Sequence, residues 1–233
     1  MKINVIATGS SGNLYEIIDN SGNSIIIEAG MPRATYMKFR EGSTPPEMCI
    51  ISHKHMDHAQ YIGEFQAVIP TFLSPEKAES ENFKAMGFSM KHGVEVCYSF
   101  IIKSLAENKF LFFGTDFEML DETESPMGYS SLFQALKFYE VENYLIECNY
   151  NDYLYHLANE QQRIGCDRHL SDNDVVRFMR MAGVKFPKII TIHGSNRLSA
   201  DTYTKKYIES KLIGSRVGVS TGVKGGQKNI FII

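Results

Sequence analysis

Hydrophobic and polar positions along this 233-residue chain fall into short alternating or apolar blocks bounded by turn residues. Residues 3–7, 14–18 and 24–28 predict three strands, separated by Gly/Ser/Asn turns at 9–13 and 20–23. Residues 48–52 form a further strand, apolar enough to be buried on both faces. Residues 75–86 read as a helix, with Ser74 as its cap and Pro75 at the first position. Residues 94–102 and 110–113 are strand-like and joined across Glu107-Asn108-Lys109, a hairpin signal. Helical spacing returns at 130–138, and 143–146 is again a strand. Ser171 caps a helix over 172–182 that Gly183 ends. After a buried strand at 188–192, Ser199 caps a helix from 200 to about 212, and strands at 216–220 and 229–233 flank the turn Lys224-Gly225-Gly226. The segment 118–128 is acidic and turn-rich, and reads either as a surface loop or as a flap over a site. A strand-rich first half followed by mixed helix and strand predicts two sheets sandwiched between helices, in one domain over residues 1–233.

Composition narrows the partners. The 43% of hydrophobic residues supplies a sizeable core, and a formal net charge of −3 argues against a general electrostatic grip on a long nucleic-acid duplex, leaving room for a local basic rim. No apolar run approaches the roughly 18 residues of a membrane span, and the apolar part of residues 1–6 is too short for a signal peptide, so a cytoplasmic protein is expected. Cys49, Cys97, Cys148 and Cys166 lack C-x-x-C spacing, and three lie in apolar runs, which points to neither disulfides nor a cysteine-type zinc site.

The densest chemistry is Ser52-His53-Lys54-His55-Met56-Asp57-His58, directly after the strand at 48–52. Three imidazoles and a carboxylate on one turn are ligands that suit zinc, iron or manganese. His53 and His55 sit two apart and can point to one side of an extended segment, while Asp57 and His58 follow as the chain turns. Two ligand pairs so close point to two metal ions, an arrangement that clamps both oxygens of a displacement. The bland alternative is a surface loop with chance histidines. Two metals need further ligands, best held at strand ends. His92, Asp116 (in Phe113-Gly114-Thr115-Asp116) and His193 each stand at the tip of an apolar strand, although each taken singly also fits a chance loop residue.

The order H-x-H-x-D-H, then histidine, then aspartate after a strand, then histidine after a late strand resembles the metallo-β-lactamase superfamily along essentially the whole chain. The resemblance implies an α/β fold, the αββα four-layer sandwich, with metals at the shared edge of the two sheets. It implies that His53, His55 and His92 hold one divalent metal, that Asp57, His58 and His193 hold a second, and that Asp116 bridges them. Zinc is the expected metal, with manganese or iron admitted by the same ligands. Leu145-Ile146-Glu147-Cys148-Asn149 is similar to the strand-end glutamate of tRNase Z-like phosphodiesterases, and Arg168-His169-Leu170-Ser171 to their histidine–Ser/Thr motif. By that likeness Glu147 orients His169, which faces the scissile phosphate or protonates the leaving oxygen; with Asp57 they make the implied catalytic set.

A narrower likeness is to the YycJ-type (WalJ-like) proteins, which act as exonucleases on DNA. Their A-S-G-S-x-G-N pattern is matched by Ala7-Thr8-Gly9-Ser10-Ser11-Gly12-Asn13, which offers Ser10, Ser11 and Asn13, together with Asn149, as substrate-binding groups. Their T-D-T-G appears as Thr115-Asp116-Phe117-Glu118, and the histidine of their N-H-D segment has no counterpart in Asn149-Tyr150-Asn151-Asp152, departures that bear on substrate choice. The chain lacks the long arm with which tRNase Z enzymes grip tRNA, and His156 matches no motif. The implied activity is dinuclear-metal hydrolysis of a DNA or RNA phosphodiester by a metal-bridged hydroxide, with a homodimer as the common assembly of such enzymes. The mild acidity favours a cyclic mononucleotide instead. Hydrolysis of a carboxyl ester, thioester or lactone is a second alternative, and a non-catalytic metal-binding module a third.

Overall fold

The computed structural model describes residues 1–94, 96–118, 128–195, 197–219 and 226–233. In chain order the first half holds β1 (Lys2–Ala7), β2 (Leu14–Ile18), β3 (Ser24–Ile27), α1 (Arg33–Phe39), β4 (Cys49–Ile51), α2 (Met56–Ala59), α3 (Ile62–Gln66), β5 (Thr71–Leu73), β6 (Lys77–Glu79), β7 (Phe83–Ser89), β8 (Tyr98–Ser104) and β9 (Lys109–Gly114). The second half holds α4 (Gly128–Phe138), β10 (Asn143–Glu147), α5 (Asp152–Leu157), α6 (Glu160–Arg163), a 3-10 turn at Cys166–Arg168, α7 (Asp172–Ala182), β11 (Lys188–Ile192), α8 (Asp201–Lys211), β12 (Arg216–Val219) and β13 (Ile230–Ile232). They build a six-stranded sheet, β13-β1-β2-β3-β4-β5, and a seven-stranded sheet, β12-β11-β10-β9-β8-β7-β6. Among the described residues no helix is long and apolar enough to cross a membrane.

The period of two along each strand divides the apolar residues between two faces. Phe113 and Leu145 point inward with Ile190 to meet Tyr15 and Ile25 of the first sheet, which makes the core between the sheets. Their neighbours Phe112, Tyr144 and Ile146 point outward and are covered by Leu132 and Leu136 of α4, Phe178 and Met179 of α7 and Ile208 of α8. Tyr36 of α1 and Phe65 of α3 cover the outer face of the first sheet, against Ile6, Ile26 and Ile51. Four layers result, each large side chain in them contributing about 1.5–3 kcal/mol relative to exposure.

Three elements carry the site to one rim. β9, β10 and β11 run parallel, and Gly114 pairs with Ile146 while Glu147 pairs with Ile192. Their carboxyl ends are therefore level, and Asp116, Glu147 and His193 leave the sheet side by side. In the first sheet β3 and β4 are parallel, with Ile27 opposite Ile50, so Glu28 and Ser52 emerge together. The helix over 172–182 forms with the expected ends: Ser171 and Asp174 make a reciprocal capping box, and Gly183 closes it at φ 71°.

The helix expected at 75–86 is absent. Residues 77–79 and 83–89 are the strands β6 and β7, and Ser74 sits at φ 47° with no helix to cap. Phe83, Ala85 and Phe88 are buried while Lys84 and Ser89 are exposed, and the whole of β7 pairs antiparallel with β8. Helix-forming residue types were overridden by this pairing, which seats Phe83 and Ala85 in the inter-sheet core. Smaller shifts occur elsewhere: the strand expected over 94–102 begins at Tyr98, and the last long helix is preceded by Ala200 rather than capped by Ser199. Most of the acidic segment 118–128, and the turn residues Lys224 and Gly225, lie outside the described residues.

Candidate metal centre

β4 ends at Ile51 and delivers His53 into a fully buried position, with its Nδ1 2.9 Å from Ser52 Oγ. His55 then stands at the N-terminus of α2, whose first turn carries Asp57 and His58. His92 follows β7, Asp116 follows β9, Glu147 is the last residue of β10, and His193 follows β11. His169 follows the 3-10 turn, shortly before α7. The structure thus brings all nine of these residues to one rim, in three groups whose donor atoms lie within 4.8 Å of one another: His53, His55, His92 and Asp116; Asp57, His58, Asp116 and His193; and Asp116, Glu147, His169 and His193. Asp116 belongs to all three.

Distances describe the first two groups as cages. The Nε2 atoms of His53, His58 and His92 converge on a single oxygen of Asp116, Oδ2, at 3.7, 3.3 and 3.5 Å. His53 Nε2 is 2.9 Å from His55 Nδ1, His58 Nε2 is 3.3 Å from Asp57 Oδ2, and His193 Nε2 is 3.5 Å from the same Asp57 oxygen. One carboxylate oxygen cannot accept well-aligned bonds from three rings at such separations. Donors spaced this way are what a tetrahedral ion needs, since zinc–nitrogen bonds of about 2.0–2.1 Å place ligand atoms about 3.3 Å apart. The donor set of imidazole nitrogen and carboxylate oxygen around Asp116 therefore fits a divalent-cation site.

Backbone strain marks the same places. Glu28, Asp116 and His193 have φ of 67°, 51° and 54°, in the left-handed region that non-glycine residues avoid, at a typical cost of about 1–3 kcal/mol each. Each occupies the residue or two beyond a strand and turns its side chain into the rim.

The charges are arranged accordingly. Burial, with the repulsion of His58 and the other rings, pushes His53 down to about 2, so its ring is neutral near pH 7. Burial also lowers His92, against the pull of Asp116. His193 behaves oppositely: burial disfavours its charge, but Asp116, Asp57 and Glu147 outweigh burial and push it up to about 10. For Asp57 and Asp116, burial is likewise outweighed by the surrounding histidines, which hold both carboxylates well below their usual range. Without a cation, protons on His193 and His58 balance these carboxylates.

Glu147 and His169 form the tightest contact of the rim. His169 Nδ1 lies 2.5 Å from Glu147 Oε1 and 3.8 Å from Asp116 Oδ1. Burial opposes a charge on His169, but Glu147 overrides it and raises the ring above its ordinary value. Imidazolium is thereby favoured, with its second nitrogen, Nε2, left over for chemistry.

Of the groups expected to meet substrate, Ser10 and Ser11 are exposed on the turn after β1. Asn13 and Asn149 are buried and otherwise engaged. Asn13 Nδ2 lies 3.1 Å from His58 Nε2 while its Oδ1 accepts from Tyr15 Oη at 2.9 Å, and Asn149 Nδ2 donates to the His193 carbonyl at 3.0 Å. Asn149 thereby holds His193 in place. Sequence reasoning missed Glu28, a fully buried carboxylate whose Oε1 is 3.4 Å from His58 Nδ1 and which accepts from the Ser52 N–H. Its signal was a charged residue closing an otherwise apolar strand. His156 is exposed on α5, away from these groups.

The arrangement of two mixed sheets between helices decides the comparison with known structures. The chain has the metallo-β-lactamase fold. It superposes on the metallo-β-lactamase fold protein YhfI of Bacillus subtilis with a TM-score of 0.69 at 14% identity, over 99% of each chain. Human tRNase Z, short form, gives 0.62 at 12% identity, over 100% of this chain and 99% of that one. A diphosphatase of the PhnP family gives 0.63 at 12% identity, over 99% and 98%. By sequence the chain matches no family model and no curated protein. On the metallo-β-lactamase fold, the rim assembled above is the joint edge of both sheets.

Proposed function

We propose that residues 1–233 form one metallohydrolase domain that cleaves phosphodiesters, with a nucleic acid strand as substrate. The observation that carries this reading is the Glu147–His169 pair, joined at 2.5 Å beside Asp116. Glu147 holds His169 and favours its protonated form, which supplies the acid that a departing alkoxide of a phosphodiester needs. His53, His55 and His92 would hold one divalent ion and Asp57, His58 and His193 another, with Asp116 shared; zinc suits this set best. When bound, the ions supply Lewis acidity, neutralising charge on a phosphoryl oxygen and lowering the pKa of a water molecule.

The chain's own residues do the rest. Glu147 fixes His169 through Nδ1–H and favours its protonated form. The Nε2 proton of His169 passes to the leaving oxygen. Asn149 and Thr8 lock His193, the first through its carbonyl and the second by accepting its backbone N–H at 2.8 Å. Glu28 fixes His58 from Nδ1, which leaves Nε2 turned toward Asp57 and Asp116. The names of two structural neighbours, a tRNase and a diphosphatase, support phosphoester chemistry, and the YycJ-like motifs support DNA or RNA.

The test is a substrate panel on zinc-loaded protein: bis(p-nitrophenyl) phosphate, 5′-ended oligonucleotides, a cyclic mononucleotide and a thioester. Turnover of the first two is expected. Turnover of the cyclic nucleotide without the oligonucleotides would replace nuclease by cyclic-nucleotide hydrolysis, and turnover of the thioester alone would overturn the phosphodiesterase reading.

A further inference from the structure

Tyr15 is fully buried in the core between the two sheets, among isoleucines and phenylalanines, with its ring centre 5.5 Å from that of Phe113. Phenylalanine would fill the same space without an oxygen to satisfy, so the hydroxyl needs a reason. Pairing of β2 sets Tyr15 opposite Val5 on one side and Ile27 on the other, and its oxygen reaches the turn between β1 and β2. There it has two partners. It donates to Asn13 Oδ1 at 2.9 Å and lies 2.8 Å from Thr8 Oγ1. A phenol carries one proton. Since that proton goes to Asn13, the Thr8 hydroxyl donates to Tyr15, and Thr8 Oγ1 accepts the His193 N–H at 2.8 Å.

The other end of this relay runs to Asp57. Asn13 Oδ1 accepts from Gly9 N–H as well as from Tyr15, so Asn13 Nδ2 is turned away from them. It donates to the Asp57 carbonyl at 3.2 Å and to Asp57 Oδ2 at 3.4 Å, and the Asn13 N–H donates to the same carbonyl at 2.7 Å. Asp57 and His193 come from different sheets, yet Asp57 Oδ2 and His193 Nε2 lie 3.5 Å apart in one donor group. Thr8, Asn13 and Tyr15 are all buried, where bulk water does not compete for their bonds.

We propose that Tyr15 is a positioning residue of the metal centre, whose hydroxyl ties Asp57 of the first sheet to His193 of the second at the spacing that one divalent cation requires. This rests on the two-ion reading of the proposed function, and not on its substrate. It adds a residue that touches neither ion nor substrate and acts through Asp57 and His193.

The test is competitive titration of zinc against a chelator on the full chain, wild type beside Y15F, which keeps the ring and removes only the oxygen. In Y15F one ion should bind about 10–100-fold more weakly, and the other should stay within about twofold of wild type. Unchanged affinity for both ions would leave Tyr15 as packing alone, and equal loss on both would be a general loosening; either overturns the relay. Hydrogen exchange of chelator-treated protein reads the relay without metal. The His193 amide, measured relative to the Ile190 amide of the same strand, should exchange about two- to tenfold faster in Y15F. An unchanged ratio overturns the relay as well. If Y15F fails to fold, T8V cuts the same relay one link further on and is read in the same way. A wild type that binds no second ion removes the two-ion reading and the relay together, whereas two ions in wild type with an indifferent Y15F remove the relay alone.

Discussion

The two sheets furnish the rim in different ways. The first sheet delivers His53, His55, Asp57 and His58 from one turn, where β4 runs into α2. The second delivers His92, Asp116, Glu147 and His193 one at a time, each from the end of its own strand. The first group is set by local chain geometry, so it is close-packed whatever happens to the distant sheet. The second is set by register, because a slip of one residue between β9, β10 and β11 would turn these side chains to the other face. Asp116 is where the two meet, touching rings from both.

The comparison is broken most completely at Asp116. D116N keeps the shape of the side chain but removes the charge that three Nε2 atoms converge on. Loss of both metals, and a fall in bis(p-nitrophenyl) phosphate turnover of about a thousandfold or more, is expected. Metal content by mass spectrometry alongside the rate checks it; a variant retaining two metals and full activity contradicts the shared role. Next in size is H169A, which removes a group of the second sheet's side without touching the six-residue cluster. A loss of about 10²–10⁴ in kcat with metal content unchanged is expected. A parallel loss of metal would make His169 a ligand instead.

Legibility in the sequence followed the same divide. The cluster at 53–58 could be read directly because its residues are neighbours in the chain, and the strands at 14–18 and 188–192 because their apolar runs are short and bounded. His92, Asp116 and His193 were visible only as polar residues at strand tips, and their meeting depends on pairings that no local pattern encodes. Glu28 showed only as a charged residue closing an apolar strand, and its place behind His58 depends on the parallel pairing of β3 with β4. The strand β7 was misread because alternation in Phe83-Lys84-Ala85-Met86 is short and its residue types favour helix.

Glu28 sharpens the comparison within the first sheet. E28Q should lower metal affinity about 10–100-fold, because the carboxylate that orients His58 becomes a neutral amide. Competitive titration against a chelator measures it. The loss should fall on one ion only, since Glu28 faces His58, which belongs to the cage of Asp57 and His193; equal weakening of both ions would show that the two cages act as one.

The smallest effect separates the metal-free protein from the loaded one. His193 is raised from 6.5 to about 10 in the folded chain, so between those values the folded state holds a proton that the unfolded state has released. Its contribution is complete below pH 6.5 and is lost as pH climbs toward 10, at no more than about 1.4 kcal/mol per pH unit. Chelator-treated protein should therefore unfold at lower denaturant concentration at pH 8 than at pH 7. Zinc-loaded protein should lose this decline, because a ligating ring must already be neutral and the cation takes over the proton's place beside Asp57 and Asp116. Identical pH slopes for the two forms would mean that His193 does not face a metal, and the second sheet's share of the cage would shrink to Asp116 and His92.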